Sequence, residues 1–317
     1  MKKNFINREN VEGRLYQHNL EIKKVQNESS KNFGKEFISG TIDVATDEEG
    51  LNIVPIHFTY VVEMTNNGKK NVTFGVLKSI IEGAKCWITD GKDAALKVRV
   101  STALALNDFY IKENDEDRLV SAKRNEGGFV NIVKDLAEKE DQRNTFDCDI
   151  VITRVTEVEG NPEAGTEDFI RLGGAIFNFR ADLLPVEFIV RRKDAIGYFT
   201  SLDISPSTPV FTEVKGNIIS STIKRDIEEQ SAFGTVSVRT VSRNVKEWVV
   251  NWARPVEYDF GAEDTITAEE LKAAMQNREV YLANIKKNRD EYMATKAANV
   301  NATMPNSMNV PAGDFNF

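Results

Sequence analysis

A chain of 317 residues, 41% hydrophobic and 28% charged, has the composition of a globular protein and the length for two ordinary domains. Its formal charge of −8 argues against a wholesale polyanion-binding surface and leaves room for a local basic groove. No run approaches the ~20 apolar residues that span a bilayer, so no membrane partner is expected.

In chain order, residues 11–25 read as a first strand with a bend at Gly13, and 26–34 as a polar loop. Residues 35–61 predict two strands around the turn Asp47-Glu48-Glu49-Gly50. Ile38, Ile42 and Val44 share one face of the first strand; Val54, Ile56, Phe58 and Tyr60 share one face of the second. The three acids of the turn are expected to face water rather than gather a metal. Residues 72–81 predict a helix with Val72, Val76, Leu77, Ile80 and Ile81 on one face, stopped at Glu82-Gly83. A short strand is expected at 84–89 and a longer one at 96–106, with Val98, Val100 and Leu104 inward and Lys97 and Arg99 outward. Residues 121–128 (SAKRNEGG) read as a basic, glycine-rich loop, and 134–144 as a charged break.

From Phe146 the order recurs: a strand at 149–158, a loop, a strand pair at 167–192, a short helix near 196–199, a strand at 210–219 and a hairpin over 236–252. Glu36-Phe37-Ile38 parallels Asp168-Phe169-Ile170, and Val54-Pro55-Ile56-His57-Phe58 parallels Leu184-Pro185-Val186-Glu187-Phe188. After Pro255 an acidic linker leads to a capping box, Thr267-Ala268-Glu269-Glu270. An amphipathic helix over 267–293 follows, carrying Leu271, Ala274, Met275, Leu282, Ile285 and Tyr292. It is available to pack on a domain or to build a homo-oligomer. The polar tail ends in Asp314-Phe315-Asn316-Phe317 and is expected to be disordered. The fold expected is mainly β: tandem β-barrel lobes over 1–133 and 146–254, a linker and helix over 255–297, and a tail over 298–317.

Catalytic signatures are missing. There is no phosphate-binding glycine loop, no H-E-x-x-H and no G-x-S-x-G, and His18 and His57 are the two histidines. Cys86 and Cys148 give no disulfide framework, no apolar run follows the two lysines of MKKNFINREN so no secretory signal is expected, and a reducing cytoplasm is expected. No enzyme, cofactor or metal is expected.

Five strands with a helix between the third and fourth is the layout of the oligonucleotide/oligosaccharide-binding (OB) barrel. Such barrels hold single strands by stacking bases on exposed aromatics beside Lys and Arg. Strand parity selects Phe37, His57, Lys97 and Arg99 in the first lobe. In the second it selects Phe169, Arg171, Phe177, Arg191 and Lys215, with Trp248 and Trp252 on one face of the closing strand.

With this layout and this tail, the chain resembles bacteriophage single-stranded DNA-binding proteins with OB-fold cores. The resemblance implies single-stranded DNA binding in phage replication or recombination, in the host cytoplasm. It also implies capture of replication or recombination proteins by the tail, through Asp314, Phe315 and Phe317. Bacterial single-strand binders end in an acidic run closed by proline and phenylalanine; here the run is missing and Asn316 stands in the proline's place. The alternative reading is a phage structural or assembly protein that uses the lobes and the helix for protein contacts.

Overall fold

The computed structural model describes residues 5–65, 67–114, 116–160, 167–229, 233, 237–258 and 265–303. Within 222–229, 237–244 and 296–303 it describes the backbone alone. The chain is mainly β. Strands β1 (Asn7–His18), β2 (Glu21–Lys24), β3 (Glu36–Ala45) and β4 (Ile53–Val62) precede helices α1 (Val72–Ile81) and α2 (Trp87–Asp90). Then come β5 (Lys97–Glu113), β6 (Glu116–Ile132), a 3-10 turn, β7 (Asn144–Val158), β8 (Phe169–Phe177) and β9 (Leu183–Val190). Helix α3 (Lys193–Thr200), β10 (Val210–Glu229), β11 (Ser237–Ala253) and α4 (Ala268–Thr303) complete the order.

Two rings close from these strands. β1 pairs with β3 and β5, β3 with β4, β5 with β6, and β4 meets β6 in parallel at Ile56 and His57. β7 pairs with β8 and β10, β8 with β9, β10 with β11, and β9 meets β11 in parallel at Ile189. Each ring has five strands with a helix between its third and fourth, the OB topology twice. The barrels join where β1 lies antiparallel to β7, from Asn7 opposite Cys148 to Val11 opposite Asn144. One apolar core runs through both, with Leu15, Ile42 and Ile56 from the first and Ile150, Leu172 and Phe188 from the second.

The two proline-bearing segments matched in sequence are the third strands of the two barrels. Proline cannot donate to a ladder. The parallel partner bonds β4 only at Ile56 and His57 and β9 only at Ile189, so Pro55 and Pro185 disturb neither ring.

Several expectations are corrected. Residues 84–89 are not a strand: Asp90 accepts hydrogen bonds from the Cys86 amide (3.0 Å) and the Thr89 hydroxyl (2.6 Å), closing the short α2 instead. Residues 121–128 are not a loop but the middle of β6, held by pairing to β5. Gly127 is required there because a Cβ would fall 2.4 Å from the Phe58 ring. Val72 is exposed rather than on the buried face of α1, which presents Thr73, Phe74, Leu77 and Ile80.

The acidic turn does not simply face water. Asp47 caps the amides of Leu51 and Asn52, and Glu48 accepts from Lys92 and Arg143, both at 2.8 Å. In α4 the inward stripe is Leu271, Ala274, Arg278, Leu282, Ile285 and Arg289, whereas Met275 and Tyr292 are exposed. The helix runs to Thr303, six residues into the expected tail, and Asp314, Phe315 and Phe317 lie outside the described residues.

Candidate nucleic-acid interface

In the second barrel, Phe169 opens β8 and Arg171 follows two residues later on the same face, while Arg191 follows directly after β9. Both guanidinium carbons lie over the Phe169 ring, 5.8 and 5.4 Å from its centroid. Glu187, at the centre of β9, lies 3.6 Å from both Arg171 and Arg154, and Glu247 holds Arg191 at 2.8 Å. The acids fix the direction of the guanidinium planes and leave a layered aromatic–cation surface, of the kind on which bases stack.

The first barrel carries the equivalent on the same strands. Phe37 on β3 and Tyr60 on β4 lie 4.7 Å apart at 41°. Lys23, opposite Phe37 on β2, and Lys24 border them along a groove of about 580 Å³. Alternation had placed Tyr60 in the core; it is 45% exposed. The register of β3 and β4 shifts between Ile38 and Gly40, so the parity that buries Val54, Ile56 and Phe58 ends before Tyr60. Gly40 permits the shift, because its φ of +132° and the carbonyl of Asn19 exclude a side chain.

Between the platforms lies a band in which His57, Lys123, Arg124 and Lys246 are interleaved with Glu126 and Glu247. Arg124 on β6 donates to the Thr59 hydroxyl at 2.9 Å and lies 3.1 Å from Glu126. His57 is half-buried with Nδ1 2.9 Å from the Thr41 hydroxyl; burial lowers its pKa, helped by the nearby Arg124 and Lys246. Lys123 donates to the Glu187 carbonyl at 2.9 Å, and burial lowers its pKa as well. Glu247, the neighbour of Lys246, continues the band to Arg191.

The structure does not bring the other expected residues together here. Trp248 is 2% exposed, packs 5.7 Å from Phe188 and lies beneath the Lys123 ammonium, so it is a core side chain and offers no stacking face. Phe177 is buried against Phe5 at 4.4 Å. Lys97 donates to the Lys134 carbonyl, and Arg99 pairs with the buried Glu12. Both lie on β5 against β1, away from Phe37. Lys215 and Trp252 meet each other, 4.9 Å apart, on a different wall. Reading the residues alone missed Tyr60, Lys23, Lys24, Arg124 and Arg154. The available signals were the Lys23-Lys24 pair following an alternating segment and the basic stretch 121–128 that holds Arg124.

The family model YorF matches residues 6–288. The chain belongs to the YorF family. No curated protein matches it. Among solved structures it is similar to the wild-type single-stranded DNA binding protein from Thermus aquaticus, at 10% identity and a TM-score of 0.46, over 84% of this chain and 98% of that one. A deletion mutant of the same Thermus protein is similar at 14% identity and a TM-score of 0.45, over 82% and 98%.

Proposed function

We propose that this member of the YorF family binds single-stranded DNA without catalysis, along the walls formed by the second and third strands of its two barrels. The observation that carries the reading is the equivalence of the platforms. Phe37 and Phe169 lie on the second strands of the two barrels, and Tyr60 on the third strand of the first matches Arg191 directly after the third strand of the second; Lys23, on the extra strand β2, and Arg171, on β8, add the flanking cations. That wall is the one OB barrels use for oligonucleotides. Aromatic layers flanked by cations hold unpaired bases and their phosphates, whereas a duplex hides its base faces. A chain of side-chain neighbours connects the platforms: Thr59 to Arg124, Arg124 to His57, and Lys246-Glu247 to Arg191.

The resemblance read from the sequence supplies the setting, replication or recombination of a phage genome, with the tail recruiting other proteins through Asp314, Phe315 and Phe317. Photocrosslinking with bromodeoxyuridine oligomers tests the site: crosslinked peptides containing Tyr60 and Phe169 support it. Crosslinks confined to other walls, or none, overturn it.

A further inference from the structure

A different wall carries a second surface, where β1 joins the two barrels. Residues at matching registers line up across adjacent strands: Phe129 opposite Ser101, Ser101 opposite Asn10, Asn10 opposite Thr145, and Thr145 opposite Asn217. A neighbouring row runs from Arg8 through Asp147 and Lys215 to Trp252. Between the ends lies a groove of about 510 Å³ that both barrels line.

Three properties mark this groove as a binding surface. Exposed aromatics flank it: Trp252, 48% exposed, lines one end, and Phe129, 70% exposed, lies just beyond the other, opposite the lining residue Ser101. The side chains of Asn10, Ser101 and Thr145, at its centre, make no hydrogen bond to the described residues, so their donors and acceptors face outward. The charges are balanced rather than free: Asp147 takes Arg8 at 2.8 Å and Lys215 at 3.7 Å, and Glu213 takes Lys215 at 2.9 Å. Stacking and hydrogen bonds, not phosphate attraction, are therefore what the groove offers. Amides and hydroxyls between aromatic ends suit the edges and faces of unpaired bases. Five strand-to-strand steps separate Trp252 from Phe129, about 24 Å along the sheet at ~4.8 Å each, room for several nucleotides.

We propose that this transverse groove holds a second tract of the same single strand. Bases would stack on Trp252 and Phe129, and Asn10, Ser101 and Thr145 would meet base edges. The proposal rests on the single-strand reading above and adds to it a strand that passes from the platform wall to the β1–β7 wall. Oligomers long enough to reach both walls would use the groove, and short ones would occupy the platforms alone.

The test compares oligothymidylates of about 10 and about 40 nucleotides, bracketing the ~4–16 nucleotides that one OB barrel covers. Four proteins are titrated: the parent, Trp252→Ala with Phe129→Ala, Asn10→Asp, and Phe169→Ala with Tyr60→Ala. The groove variants should bind the 10-mer like the parent, bind the 40-mer about five-fold or more weakly, and show a smaller site size. Tryptophan quenching by the 40-mer should be lost with Trp252. Asn10→Asp gives the same readout should the double variant fold poorly. Unchanged 40-mer affinity and site size in the groove variants, with the platform variant weakened on both oligomers, overturns the second tract alone. A parent that binds neither oligomer overturns the single-strand reading and this proposal with it.

Discussion

Arg278 donates two hydrogen bonds to Asp108, at 2.8 and 2.6 Å, between side chains that are both buried. The pair fastens α4 to the β5–β6 arm of the first barrel. Farther along, Lys286 and Arg289 hold Asp117 at 3.0 and 2.9 Å and lie over Tyr110. At its start the helix is seated in the second barrel, where Ala274 and Leu271 pack with Phe177 and Phe211. α4 is thus a strap between the barrels, and it steadies the arm whose return strand carries Lys123 and Arg124.

Breaking that pair should be costly because it strands a buried charge. Arg278→Ala is expected to destabilise the chain by about 3–5 kcal/mol. Replacing both partners, as Arg278→Met with Asp108→Leu, should recover most of the loss. Urea unfolding measures both. A single variant with an unshifted midpoint would show that the strap contributes nothing.

Glu9 gives a prediction of sign. It is 3% exposed, neither carboxylate oxygen has a hydrogen-bond partner among the described residues, and burial raises its pKa well above the usual carboxylate range. A raised native pKa means that stability is fully present below the unfolded carboxyl pKa and is lost as pH rises toward the native value. Glu9→Gln should therefore gain stability relative to the parent between pH 4 and pH 8. A gain in the opposite direction would contradict the burial argument.

Glu48 should behave in the reverse way. Hydrogen bonds from Lys92 and Arg143 lower its pKa to about 2. A depressed native pKa means that the stabilisation is present above the unfolded value and fades as pH falls through the native one. The side chain is 43% exposed, so solvent screening holds the contribution to about 1 kcal/mol. Glu48→Gln should show that loss at pH 7 and little at pH 2. Equal effects at both pH values would rule out the ion pairs as its source.

Much of the architecture was legible because it is local. Strand alternation, the α1 segment and the capping box at Thr267, whose hydroxyl accepts from the Glu270 amide, follow from periods and caps that neighbouring residues declare. The repeat emerged from Pro55 and Pro185, since both third strands meet the same constraint. What was hidden depends on distant partners. β6 reads as a loop until β5 pairs with it, and Tyr60 reads as core until a register shift turns it out. Trp248 and Trp252 share a parity in sequence yet differ in fate, because the β10–β11 register shifts between Lys215 and Gly216, which turns Trp252 out beside Lys215 while Trp248 stays inward against Phe188.

That difference separates the two tryptophans experimentally. Trp248→Ala should destabilise the fold by about 3–5 kcal/mol, the range for emptying an aromatic core site. Trp248→Phe, if it folds, should bind single strands like the parent. A large affinity loss in Trp248→Phe with unchanged stability would return Trp248 to the interface.

Titration of the parent and of Phe169→Ala with labelled oligothymidylate at low and moderate salt tests the central claim most directly. Parent affinity should be tighter than about micromolar at low salt and weaken as salt rises. Phe169→Ala should lose roughly 1–3 kcal/mol of binding, the value of one stacked base. Parent binding no tighter than micromolar at low salt, or a duplex bound as tightly as the single strand, would contradict the account.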